Sequence, residues 1–229
     1  MSGRSPRWFT GIQYPYEANF ADNTWAQIIK ACQKKIVPPT WKVGDQKAMT
    51  IGGTDYLIDI IGINHDTYTA GSVAPRTFQL HDCYGTKYAM NAEKTNVGGW
   101  TSCAIRRSIH AILAAMPPEV QNGIREVNKL TSAGNKSTTI DTTADKLFLL
   151  SEIEIFGAAT YSMTGEGVQY DYYKTGGSTV KNYSGSAITC WERSPNGSNS
   201  TGFCNVTSKG AANTSSASTV RGVAFAFCF

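Results

Sequence analysis

Apolar and polar positions along this chain follow two different periods, and each change of period marks an element. Trp25, Ile28, Ile29, Cys32 and Ile36 recur every three to four residues, the spacing of one helical face. The pattern predicts a helix from an N-cap at Asn23 to about Lys35, stopped by Pro38-Pro39. The spacing then tightens into strand-like runs at 48–51, 56–63 and 77–80, with a turn at Gly52-Gly53, an antiparallel meander. Helical spacing returns after Gly98-Gly99-Trp100, with Ser102 as the expected cap and Ile105, Ile109, Ile112 and Leu113 as the buried stripe. Pro117-Pro118 ends that helix and opens a third, 118–130, with Glu119 in its first turn.

Beyond it, 137–140 and 146–150 read as short strands, and 151–157 as a helical turn closed by Gly157. The last strands fall at 189–191, 203–207 and 223–229. Residues 157–187 hold no legible element, and a loop of that length inside a compact domain usually has a function. No tandem repeat or linker divides the chain. The organisation is one α+β domain over 20–229, preceded by an N-terminal extension at 1–19.

Composition narrows the classes. With 229 residues, 41% hydrophobic and 17% charged, the chain can build a sizeable core. A net charge of +4 is spread thinly, and Lys34-Lys35 and Arg106-Arg107 are too short to argue for nucleic acid. No apolar run reaches the roughly 20 residues of a membrane span, and residues 1–10 show no apolar stretch of a secretory signal. The cysteines, at 32, 83, 103, 190, 204 and 228, lack metal-ligand spacing and suit buried free thiols, with a Cys204–Cys228 disulfide left open.

Candidate chemistry is sparse. His65-Asp66 and His81-Asp82 each follow a strand and together have the donor types of a metal or acid–base site. As strand-end residues capping turns they need no such role, and that reading is favoured. His110 lies beside the stripe of the second helix and reads as packed or exposed. Nucleophile elbows, phosphate loops and His-Glu-x-x-His are missing, and Glu152 with Glu154 is weak support for a glycosidase. Tyr170, Tyr172, Tyr173 and Tyr183 can stack on sugars or a partner, or simply pack. No enzyme, metal or cofactor is expected.

The tail changes the picture. From Asn196 to Arg221 the chain is almost all Asn, Ser, Thr, Gly, Ala and Val. Lys209 is its one Lys, Glu, Gln, Met or Trp, although 37 such residues among the preceding 195 would put about five in these 26. Phe203, Val206, Gly210, Ala212, Ala217, Gly222 and Val223 punctuate the tract like fixed scaffold, which argues against a disordered low-complexity loop.

Trp191-x-Arg193-Ser194-Pro195, Phe203-Cys204-x-Val206, Gly210, Ala217 and Gly222-Val223-Ala224-x-x-Phe227-Cys228 resemble the C-terminus of a family common in gut Firmicutes and their phages. So do Trp41-x-Val43-Gly44-Asp45, Ile61-Gly62-Ile63-Asn64-His65-Asp66, Thr77-Phe78-Gln79-Leu80, Thr95-Asn96-Val97-Gly98-Gly99-Trp100 and Asp145-Lys146-Leu147-Phe148-Leu149-Leu150-Ser151-Glu152. The resemblance covers roughly 20–229. Its members are similar to the C-type-lectin fold in its formylglycine-generating-enzyme-like form, which implies two to three helices around small antiparallel sheets. Many are variable proteins of diversity-generating retroelements, in which template adenines become any base. Templates rich in AAC and AAT codons never yield Lys, Glu, Gln, Met or Trp, so the resemblance accounts for the missing residues and leaves Lys209 as an exception.

The implied role is non-enzymatic: binding an unknown protein or glycan, such as a receptor on a bacterial surface, through a variable region at about 189–229. The expected binding face takes Asn196, Ser198, Asn199 and Thr201 from the start of the tract. Asn205, Thr207 and Ala211 follow, and then Asn213, Thr214, Ser215, Ser216, Thr219 and Arg221. Tyr170, Tyr172, Tyr173 and Tyr183 are supporting aromatics. Phe203, Val206, Val223, Phe225 and Phe227 should be buried, and Trp191 and Arg193 should orient the strand. Two other readings stay open: a metal-dependent carbohydrate binder using His65/Asp66 and His81/Asp82, and a structural phage tail or decoration protein. Neither nucleic acid nor membrane insertion is expected, and the oligomeric state is open.

Overall fold

A computed structural model describes residues 14–229, so most of the 1–19 extension lies outside the described residues. The part within it packs on the domain: Tyr16 lies 6.0 Å from Trp41, whose indole N–H donates to the Glu17 carbonyl.

Helix α1 (Trp25–Lys34) buries Trp25, Ile28, Ile29, Ala31 and Cys32, the stripe its spacing predicts. Its cap is Thr24 rather than Asn23, because Gln27 closes a reciprocal capping box with Thr24. Asn23 is instead fully buried, bracing the preceding turn through the Glu17 and Asn19 carbonyls. Strands β1 (Gln46–Ile51), β2 (Thr54–Ile63) and β3 (Arg76–Leu80) form the expected meander. The chain's last strand, β11 (Ala226–Cys228), completes this sheet against β3, in the order β1-β2-β3-β11.

The second helical region is two pieces, α2 (Gly99–Ser102) and α3 (Ala104–Ile112), broken at Cys103. Ser102 therefore ends α2 instead of capping α3. Helix α4 (Pro118–Gly123) is much shorter than 118–130. Gly123 lies so close to Ile29 of α1 that a Cβ would stand 2.8 Å from that side chain, and the chain leaves the helix there. Val127, Lys129 and Thr131 then alternate inward in β4 (Val127–Ser132), paired with β5 (Ile140–Asp145). Within 146–150, Leu147, Phe148, Leu149 and Leu150 are buried, but the backbone forms no strand and only bridges Ala226 through Phe148. Asp145 fastens the helices to this hairpin by accepting from Trp100 Nε1 at 3.0 Å, Thr143 at 2.6 Å and Arg106 at 2.6 Å. Burial opposes its charge, but bonds from His110, Thr143 and Arg106 hold the carboxyl at about 2.

Helix α5 (Glu152–Phe156) follows its prediction closely, with a Ser151/Glu154 capping box and Gly157 in the left-handed region. The unassigned 157–187 stretch contains a one-turn helix α6 (Asp171–Lys174) and a hairpin, β6 (Lys181–Tyr183) with β7 (Ser186–Ile188). The tail forms a second sheet of β8 (Cys190–Pro195), β9 (Gly202–Val206) and β10 (Ala212–Ser216), in the order β10-β9-β8. Mixed short helices and antiparallel sheets make the chain α+β. All six cysteines are buried and free. Among the described residues no helix is long and apolar enough to cross a membrane.

Candidate functional site

Strand β8 is buried along its whole length and fixes the tail to the core. Trp191 donates its indole N–H to the Tyr88 carbonyl at 2.9 Å. Arg193 is fully enclosed and spends every donor atom: Nε on Thr131, Nη1 on the Leu149 carbonyl, and Nη2 on the Leu130 and Glu166 carbonyls. Both terminal nitrogens also clasp Glu154 in a fork. Ser194 Oγ accepts the Glu152 amide, joining β8 to the start of α5.

The ion pairs continue inward. Lys129 Nζ lies 2.7 Å from both Glu154 and Asp66, and the Tyr170 hydroxyl donates to Asp66 at 2.8 Å. Burial alone would raise these carboxyls. Arg193 and Lys129 nevertheless hold Glu154 below its ordinary value, and Lys129 with Thr77 holds Asp66 at about 2. This network floors a cleft of about 530 Å³ that includes Asn64, His65 and Asn128. His65 stacks on Tyr170 at 3.8 Å, and burial lowers its pKa, favouring the neutral imidazole.

On that base the tail builds its outer surface. Asn96 binds the 196–202 loop from below, its side-chain amide donating to the carbonyls of Asn196, Asn199 and Gly202 at 3.2, 3.0 and 2.8 Å. Asn199 Oδ1 closes the loop by accepting from the Thr201 and Gly202 amides. Strand β9 is buried on both faces, whereas β10 is an edge strand. Its register pairs Asn213 with Asn205 and Ser215 with Phe203, so Asn213 and Ser215 share a face while Ala212, Thr214 and Ser216 take the other. Between β9 and β10 a turn exposes Ser208, Lys209 and Ala211. Gly210 is required there: its φ is +81°, and a Cβ would stand 2.6 Å from Thr179 Oγ1. After β10, Arg221 pairs backbone-to-backbone with Tyr88 and reaches Ser215 Oγ at 3.4 Å.

The expected binding residues therefore divide. Ser198, Thr201, Ala211 and Asn213 are exposed, and Asn199, Thr207, Thr214, Ser215, Ser216, Thr219 and Arg221 are half-buried. Asn196 and Asn205 depart from the expectation, being 4% and 0% exposed. Asn196 turns inward to accept from Ser198, and Asn205 is covered in the middle strand, where it donates to Ser215. Tyr170 and Tyr173 are buried too, their hydroxyls committed to Asp66 and Gln79, so they serve the core rather than a surface. Tyr172 and Tyr183 are half-buried, with Lys87 4.9 Å over the Tyr183 ring. Phe203, Val206, Val223, Phe225 and Phe227 are buried as expected.

Two half-buried aromatics beside Arg221 escape a sequence reading. Tyr88 is paired with Arg221 itself, and Tyr84 donates its backbone N–H to the Val223 carbonyl and stacks on Tyr56 at 5.5 Å. They lie on a loop far earlier in the chain, and only the alternating register of tail and loop brings them together.

His65/Asp66 and His81/Asp82 are not brought together. Asp66 belongs to the Lys129 network, whereas His81 pairs with buried Asp59 at 2.8 Å and Asp82 accepts from Asn182. His110 stands 3.2 Å from Asp145 as part of the helix anchor. Among the described residues no group of three His, Cys, Asp or Glu side chains is placed to hold a metal ion.

A family model described as a domain of unknown function (DUF6273) matches residues 75–229, the segment that begins at β3 and includes the whole tail. No curated protein and no solved structure matches the chain.

Proposed function

Because the chain belongs to the DUF6273 family, a domain of unknown function, we propose its role from its own geometry: a non-enzymatic ligand-binding domain of the C-type-lectin-like class with a retroelement-diversified tail. One observation carries this reading. Within 196–221, Phe203, Cys204 and Val206 are buried, while the exposed and half-buried positions are nearly all small polar residues, Gly or Ala. Apart from buried Asn196 and Asn205, core and display are thus separated along one tract. Substitutions at such display positions usually cost within about 0.5 kcal/mol, so the ligand can change without loss of the fold. Ser, Asn and Thr offer adaptable hydrogen bonds, and Tyr84 and Tyr88 supply rigid aromatic area nearby. The ligand is a protein or glycan, such as one on a bacterial surface.

Lys209 sits at the exposed turn, among the display positions. On this reading it is a fixed or differently encoded position, lying at the surface and not in the buried scaffold. The metal-dependent and structural readings have no comparable observation in their favour.

A substitution panel tests the display. Replacing Ser198, Thr201, Ala211 and Asn213 singly with Tyr or Asp should leave thermal stability within about 0.5 kcal/mol of the parent. Phe203→Ala should cost about 3–5 kcal/mol. Equal losses at both sets would sink the display reading. For the retroelement itself, the neighbouring DNA should hold a reverse transcriptase gene and an adenine-rich near-copy of the tail's coding sequence; absence of both would remove that part alone.

A further inference from the structure

We propose that three glutamates buried beneath the tail, Glu152, Glu166 and Glu192, form a proton-operated latch that holds the 196–202 loop at mildly acidic pH and loosens it as pH rises. The anomaly behind this is local. Of the seven buried side-chain nitrogens and oxygens without a hydrogen-bond partner among the described residues, four belong to this cluster: both oxygens of Glu192, Glu166 Oε2 and Ser162 Oγ. Glu192 is completely enclosed. A buried carboxylate without donors is strongly disfavoured, whereas the neutral acid is tolerated.

Among the described residues no cation nearby is free to neutralise the cluster. Arg193 is turned to Glu154, and Lys129 is shared between Glu154 and Asp66, so these two cations balance two carboxylates. The remaining groups facing the cluster are Ser132 from β4, Ser194 from β8 and Cys204 from β9. The Cys204 thiol is itself pushed well up by burial and by the three glutamates. No three such side chains are placed to hold a metal among the described residues, so protons are the neutralising species. Burial pushes the Glu166 carboxyl up to about 7. Burial, with Glu152 and Glu166 alongside, holds Glu192 well above the usual carboxylate range.

The mechanical link is short. Glu152 accepts the Tyr161 and Ser162 amides at 2.9 and 2.7 Å, and the Tyr161 carbonyl accepts the Gly197 amide at 2.7 Å. Gly197 belongs to the loop that displays Ser198 and Thr201. Ionising Glu166 and Glu192 places like charges beside Glu152 and strains the support of that loop. This inference does not depend on what the tail binds.

The sign follows from linkage. A carboxyl raised in the folded state contributes stability that is fully present below the unfolded value and lost as pH rises through the folded one. Thermal unfolding of the parent and of E166Q/E192Q should be compared at intervals from pH 5 to 8.5. The parent should lose roughly 5–10 °C more than the variant over that range. His81, raised by its bond to Asp59, changes in the same window but is common to both proteins. Amide-exchange protection at Tyr161, Ser162 and Gly197 should fall with pH ahead of β1 and β2. Carbon-13 NMR of labelled glutamate carboxyls in the parent gives a readout independent of the variant's folding, and two should titrate far above the ordinary range. Parallel melting profiles, ordinary titration of every glutamate, or uniform loosening of the whole molecule would each overturn the latch.

Discussion

Arg193 shows how much a single residue decides in this tail. Its guanidinium satisfies Thr131, Glu154 and three backbone carbonyls from β4, the 147–150 run and the 158–167 segment. Arg193→Ala should therefore leave Glu154 buried against Lys129 alone and cost about 3–5 kcal/mol. Arg193→Lys should recover little of that, since an ammonium is one point charge and cannot span the fork. Urea unfolding of both variants measures this, and a loss below about 1 kcal/mol for Arg193→Ala would contradict the assignment. The sequence marks Arg193 as an orienting residue but not its counter-ion. The spacing of Glu152 and Glu154 offers only weak support for a glycosidase pair. On α5 they diverge instead, Glu154 to Arg193 and Glu152 to the Tyr161 and Ser162 amides. The helical turn is legible, but the partners on its two sides come from elsewhere in the chain and no local spacing names them.

Elements were legible where one face is buried and the other wet. Helix α1 and strand β1 have that contrast, whereas β2, β3 and α5, more completely buried, are legible from their apolar content and bounding turn residues; the structure keeps all of them with shifts of a residue or two. Strand β10 has no such contrast, because an edge strand of Ala, Asn, Thr and Ser is partly exposed on both faces. Residues 118–130 carry apolar positions compatible with both periods, and tertiary packing at Gly123 decides for a short helix followed by a strand. The 196–202 loop depends on a partner a hundred residues away. Asn96→Ala removes three amide bonds to its carbonyls and should cost about 1–3 kcal/mol. Amide exchange should quicken at Thr201 and Gly202 while β1 and β2 stay protected. Unchanged protection in the loop would show that Asn199 alone holds it.

At the scale of the whole molecule, ion networks connect parts that the sequence keeps far apart. Asp66 follows β2, Lys129 lies in β4, Glu154 in α5 and Arg193 in β8, yet they form one chain of contacts. Asp145 does the same for α2, α3 and β5. Strand β11 meanwhile closes the N-terminal sheet with the last residues of the chain. Unfolding should accordingly be a single cooperative event, with tail and scaffold lost together. Its acid limit follows from Asp66 and Asp145, both held at about 2 against an ordinary 3.8. A depressed carboxyl contributes stability that is present above the unfolded value and lost as pH falls through the folded one. Each is worth about 2 kcal/mol by that shift, so together they represent a large share of the 5–15 kcal/mol typical of a domain. Denaturant titrations of the E166Q/E192Q protein, which lacks the opposing raised glutamates, should differ by about 3 kcal/mol between pH 5 and pH 2.5, with near-ultraviolet and far-ultraviolet signals moving together at both. Separate transitions for tail and scaffold, or equal stability at the two pH values, would show that these networks are local contacts and do not hold the molecule together.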